Sequence, residues 1–153
     1  IRSTHNVGSI LRTAEGFGVK HVICSGYTPY PLLPNDKRLP HIAEKLSKQI
    51  HKTALGAERM VPISQYDDIE LWLRQNVLPI VALEQSPDSV ELSKFTPPTS
   101  FVLLLGEEVN GINSALLSRA MYTVEIPMKG NKESFNVSVA AGIALYALSL
   151  YSH

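Results

Sequence analysis

Three short stretches carry more polar and glycine residues than packing requires, at spacings that could do chemistry. The first is Ser3-Thr4-His5-Asn6-Val7-Gly8-Ser9-Ile10-Leu11-Arg12-Thr13-Ala14. Arg12 follows Asn6 by nearly two helical turns, roughly 600° at about 100° per residue, in a largely apolar helix. A guanidinium there is a rigid fork of donors suited to a phosphate. A side chain snorkelling off an apolar surface is the competing reading, and helix capping accounts for Asn6 equally well. The second stretch, Leu103-Leu104-Leu105-Gly106-Glu107-Glu108-Val109-Asn110-Gly111, runs an apolar strand into glycine, where the missing Cβ lets a ligand approach the backbone. Its two glutamates also suit the acidic start of a helix. In the third, a strand ends at Ile126-Pro127-Met128, a polar turn comes next, and a helix opens at Ser134 or Asn136, both ordinary caps. Neither Gly-x-Gly-x-x-Gly nor a phosphate loop ending in Gly-Lys-Ser/Thr occurs.

These stretches need elements to hold them. Val7, Ile10, Leu11, Ala14 and Phe17 have helical spacing, and Gly18 can end that helix. His21–Cys24 reads as a buried strand, followed by a loop rich in glycine and proline. A basic helix is expected from about Pro40 to Lys52 and a strand at Met60–Ile63. Asp67 and Asp68 look like the start of a helix over Ile69–Gln75. Leu78–Leu83 and Phe101–Leu105 are apolar enough for central strands, with Gln85–Ser100, which holds three prolines, as a surface connection between them. A short helix at Ser114–Ala120, a strand at Tyr122–Ile126 and a long helix from about Asn136 to Leu150 complete the order. Alternation of this kind predicts an α/β fold with a mostly parallel sheet and flanking helices, as one domain over residues 1–153. Because the first helix starts almost at Ile1, a preceding strand is expected upstream. The functional stretches then fall at element ends, where open α/β sheets bind ligands.

Composition narrows the classes. Hydrophobic residues at 44% and charged residues at 18% describe a globular chain rather than a disordered one. Apolar runs such as Phe101–Leu105 are too short to span a bilayer, and with no export leader and a single Cys24, a cytoplasmic location is expected. Cys24, in a strand-like run, reads as core. His5, His21, His41, His51 and His153 lack ligand-like pairing, so no metal is expected. Net charge is zero, yet residues 1–60 carry nine Lys/Arg against four Asp/Glu, and the remainder five against ten. Lys37, Arg38, Lys45, Lys48 and Lys52 are candidate RNA contacts, the last three sharing one helix face. A plain solvated face is the other reading.

Together, in order and wording, the stretches resemble the SpoU (TrmH-like) family of SPOUT methyltransferases from end to end. Asn6-x-Gly8-x-x-x-Arg12 with Phe17-Gly18 looks like the family's first motif, and Leu105-Gly106-x-Glu108-x-x-Gly111 like its second. Ile126-Pro127-Met128 with Ser134-Phe135-Asn136-Val137-Ser138 looks like its third, with Phe135 where leucine is commoner. His51 to Glu58 resembles a further stretch of short members, with no chemistry attached. The resemblance implies a C-terminal trefoil knot, which general topology rules would have rejected. It implies S-adenosylmethionine as cofactor, with S-adenosylhomocysteine as product. Backbone groups of Leu83-Glu84, Leu105-Gly106 and Ile126-Pro127-Met128 would clasp adenine and ribose, near Gly111, with Phe135 and Ala140 as apolar walls. The implied reaction methylates a ribose 2′-hydroxyl of tRNA or rRNA. Arg12 would serve as base or phosphate binder, assisted by Asn6, Glu108, Ser134 and Asn136. A homodimer is also implied, with the final apolar helix as a surface for it. The alternatives are a base methyltransferase of the same fold, a non-catalytic RNA-binding member, and an unrelated α/β nucleotide-binding domain.

Overall fold

A computed structural model describes residues 1–151, so His153 lies outside the described residues. The chain divides into two compact units, Ile1–Asn76 and a second from Val77 onward. Both are mixed α/β with parallel pairing, so the one sheet expected is two.

In the first unit, helix α1 (Thr4–Gly16) starts where the Ser3 hydroxyl accepts from the Asn6 backbone N–H at 3.2 Å. Val7 and Leu11 pack on Ile50 and Ala54 of helix α2 (Pro40–Ala54). Gly8 is what lets these helices touch: a Cβ there would overlap the Thr53 hydroxyl and the Ile50 carbonyl. Thr53 Oγ1 in turn donates to the His5 carbonyl at 2.9 Å. Strands β1 (Val22–Ser25) and β2 (Ile63–Tyr66) pair in parallel, and helix α3 (Ile69–Leu73) is capped by Asp68, which accepts from Glu70 N at 2.9 Å. Strand β2 begins at the residue where the strand expected over Met60–Ile63 ends. The reason is local: α2 runs on to Ala54, then left-handed Leu55 and Gly56 and a tight turn at Ala57–Arg59 take up the chain. Cys24 is buried, and burial pushes its thiol up to about 11, consistent with core.

The second unit is a four-stranded sheet ordered β4-β6-β3-β5, all pairs parallel. Its strands are β3 (Ile80–Leu83), β4 (Val90–Glu91), β5 (Val102–Leu105) and β6 (Tyr122–Glu125), with helix α4 (Ser114–Leu117) between the last two. Helix α5 (Val137–Ser149) lays Ala144 and Leu148 on Val81 and Val124. Gln85–Ser100 is not merely a surface connection. It contributes β4 and sends Leu92 and Phe95 into this core, a pair masked in the sequence by three prolines and polar neighbours.

Candidate functional site

Strands β5, β3 and β6 lie side by side and parallel, so the turns leaving them emerge at one edge. Leu83 pairs with Leu105 on one side and Val124 on the other. The turn after β5 folds back on itself, with Glu107 and Gly111 exchanging backbone hydrogen bonds at 3.1 Å each. Gly106 and Gly111 make that fold possible. A Cβ on Gly106 would strike the Gly111 backbone, and one on Gly111, whose φ is +67°, would strike the Glu84 carboxylate.

Glu84 then ties two turns together. Its carboxylate accepts from Ile112 N at 2.8 Å and from Gln85 N at 3.0 Å. Gln85 reaches the third turn, where its side-chain amide donates to the Glu133 carbonyl at 3.0 Å. Sequence reading missed both side chains, since it assigned Glu84 only a backbone role. An acidic residue directly after a buried apolar strand was the available signal.

Around these turns the candidate cofactor residues are mostly apolar. Leu83 and Ile126 pack on the core of the unit, so what they offer a ligand is backbone. Leu105, Met128 and Ala140 are half-buried, whereas Pro127 and Phe135 are exposed. Asn136 caps α5, its Oδ1 accepting from Ser138 N at 2.9 Å and from the Ser138 hydroxyl at 2.6 Å. Ser134 and Glu108 are exposed on the turns before α5 and after β5.

Asn6 and Arg12 belong to the first unit, on α1: Asn6 half-buried in its first turn, Arg12 exposed two turns on. Lys45, Lys48 and Lys52 share one face of α2 with His41, Glu44 and Gln49. Lys37 is exposed in the preceding loop. Arg38 differs from these lysines. Its guanidinium donates to both Asp36 oxygens and, at 3.0 Å each, to the carbonyls of Tyr30 and Pro31, and it lies 3.5 Å over the Tyr30 ring. Those hydrogen bonds hold the Asp36 carboxyl far below the usual range, against the opposing effect of burial. Arg38 thus braces the loop. At the end of α2, His51 Nδ1 lies 2.7 Å from Glu58, whose other oxygen accepts from Gly56 N at 2.9 Å. The His51–Glu58 stretch therefore has a structural role as a helix stop.

The model of the SpoU rRNA Methylase family matches residues 1–146. A 23S rRNA (guanosine-2′-O-)-methyltransferase of Nitrosomonas europaea is 32% identical over 95% of this chain and 52% of its own length. A tRNA (guanosine(18)-2′-O)-methyltransferase of Borreliella burgdorferi is 26% identical over 97% of this chain and 62% of its own. The solved AdoMet-bound rRNA methyltransferase of Sinorhizobium meliloti superposes with a TM-score of 0.77 at 26% identity, covering 97% of this chain and 52% of that one. The chain spans about half the length of the curated relatives it matches first. With all three motifs inside the matched residues, the chain belongs to the SpoU rRNA methylase family.

Proposed function

We propose that this chain carries the methyl-transfer site of an S-adenosylmethionine-dependent enzyme acting on a ribose 2′-hydroxyl of tRNA or rRNA. One observation carries the reading: the turns of the second and third motifs and the turn after β3 leave adjacent parallel strands and are laced together by Glu84 and Gln85. The family resemblance, rather than these contacts, is the ground for proposing a trefoil knot here.

The turns suit such a cofactor. Adenine has a flat apolar face and a few polar edge groups, and mostly apolar pockets with sparse hydrogen bonds accommodate it. Leu83, Glu84, Leu105, Gly106, Gly111 and Ile126-Pro127-Met128 would hold it by backbone, with Phe135 and Ala140 as walls. Bound there, it supplies a methyl group already activated by a positive sulfur.

The chain's own share is to orient the hydroxyl and to stabilise its oxygen as the proton is lost to solvent. The planar guanidinium of Arg12 acts as a fork of donors for the neighbouring phosphate and stabilises a developing alkoxide. Asn6 and Asn136 are assigned as positioning groups for the ribose, Ser134 as an assisting group, and Glu108 as the group that orients Arg12 or the loop after β5. Lys37, Lys45, Lys48 and Lys52 draw the RNA backbone, with Arg38 holding the loop before α2 in shape. The exposed apolar residues of α5 support a homodimer, with substrate and catalytic groups meeting across it. The enzyme works in the cytoplasm; no described helix is long and apolar enough to cross a membrane.

The test is transfer of a labelled methyl group to bulk tRNA or rRNA, followed by nucleoside analysis. A 2′-O-methyl product is expected, and a base-methylated product would overturn the ribose assignment. Arg12→Lys should lose most activity while still binding cofactor in calorimetry; normal methylation by that variant would remove Arg12 from the mechanism.

A further inference from the structure

An open cleft of about 500 Å³ lies in the first unit, between the start of α1 and the turn after β1. Tyr27 stands on that turn, where Gly26 takes a φ of +56° and Thr28 N closes on the Ser25 carbonyl at 3.1 Å. Tyr27 is 64% exposed. The Arg2 guanidinium lies 5.5 Å from the ring centre. Tyr30 forms another wall, one face of its ring backed by Arg38. Leu46 and Gln49 of α2 complete the lining.

Two features suggest what occupies it. The loop that carries Tyr27 and Tyr30 has no regular structure over much of its length, yet it is built to be rigid. The Asp36–Arg38 pair, with side chains only 5% and 17% exposed, grips the carbonyls of Tyr30 and Pro31, and Leu32 N donates to the Ser47 hydroxyl of α2. Rigid, low-entropy aromatic surfaces favour binding. Second, Gln49 belongs both to this cleft and to the face of α2 that carries Lys45, Lys48 and Lys52, together with one acidic residue, Glu44. Three lysines and an exposed ring flanked by arginine thus lie on either side of Gln49. That pairing is how single-stranded nucleic acid is held: cations track the phosphates and aromatic rings stack the bases.

We infer that single-stranded RNA runs along the lysine-bearing face of α2 and stacks one base on Tyr27, with Arg2 meeting the adjoining phosphate. This deepens the proposed function by giving its RNA a specific path, and it rests on that reading for the identity of the partner. Every base has a π face, so the cleft tolerates sequence and contributes affinity rather than base identity.

The experiment uses the full chain and a fluorescein-labelled single-stranded RNA dodecamer, read by anisotropy across a salt series. Tyr27→Ala should weaken binding roughly tenfold with the salt slope unchanged. Lys48→Ala should instead make the slope shallower by about 0.7. Tyr27→Trp should keep affinity, and its added fluorescence should be quenched by the RNA but not by inorganic polyphosphate, which has no bases. Circular dichroism melts establish that each variant is folded. Unchanged affinity in Tyr27→Ala, or an unquenched Tyr27→Trp, overturns the inference. A wild-type chain that methylates RNA while Tyr27→Ala does so with the same KM sinks this inference and leaves the proposed function standing. A wild-type chain whose Tyr27 carries RNA binding but which transfers no methyl group does the reverse.

Discussion

Gly8 shows how a motif residue can be conformationally ordinary and sterically indispensable. It lies inside α1, where glycine costs up to about 1 kcal/mol relative to alanine. The return is close approach: the Thr53 hydroxyl and Ile50 carbonyl of α2 occupy the space its Cβ would need. Gly16, at the end of the same helix, has open space around it and no positive φ. One substitution should therefore act with opposite signs on one helix. Gly8→Ala should destabilise by about 1–3 kcal/mol, as overpacking does, and Gly16→Ala should stabilise by up to about 1 kcal/mol. Urea unfolding of both variants checks this, and equal signs would refute the packing account. The sequence made Gly8 recognisable as part of a motif but was silent on its reason, which depends on a partner helix more than forty residues away. Glu84 was opaque for the same cause, since Ile112, which it holds, is 28 residues on. Asn136, whose partners Ser138 and Val139 are local, could be read directly as a cap.

At the scale of elements, periodic segments were legible and their ends were not. The expected helices over Val7–Phe17 and Pro40–Lys52 exist because their apolar spacing reflects the faces they bury. The chain beyond α2 departs from expectation because the helix stop depends on left-handed Leu55, a conformation rare for a branched residue and unsignalled by composition. Glu58 secures that stop, and it makes the stop sensitive to acid. Burial raises its pKa, but hydrogen bonds from His51 and from backbone N–H groups, with the charge of His51, outweigh burial and leave it below the ordinary value. A carboxyl depressed in the folded state stabilises above its unfolded pKa, about 4.3, and loses that contribution as pH falls through the folded value. Glu58→Gln should therefore lower the thermal midpoint at pH 6, and the gap to wild type should narrow towards pH 3. Asp36, depressed by Arg38, fades in the same direction in both proteins and cancels from the comparison. A gap independent of pH would mean that Glu58 acts by packing alone.

For the molecule as a whole, the revealing element is α5. Surface helices of globular proteins carry one apolar stripe and one polar face, but here both sides are apolar. Ala141, Ala144 and Leu148 are buried, while Val139, Ile143, Tyr146 and Leu150 remain 51%, 38%, 58% and 61% exposed. Those four recur at helical spacing, so they form a continuous stripe rather than scattered surface residues, and stripes of this kind mark interaction surfaces. The two ends of the chain also differ in charge, with nine Lys/Arg against four Asp/Glu over residues 1–60 and five against ten beyond. The chain as a whole sums to zero net charge, so two copies meet without long-range repulsion. If the stripe is the dimer surface of the proposed enzyme, sedimentation of the full chain should give twice the mass of one copy. Ile143→Glu, which buries a carboxylate at any such interface, should give a folded monomer with an unchanged α/β circular dichroism spectrum. Methyl transfer should fall with it, because substrate and catalytic groups would no longer meet. A wild-type monomer, or an Ile143→Glu monomer with full activity, would confine catalysis to one chain and require Arg12 to reach the Glu84-laced turns without a partner.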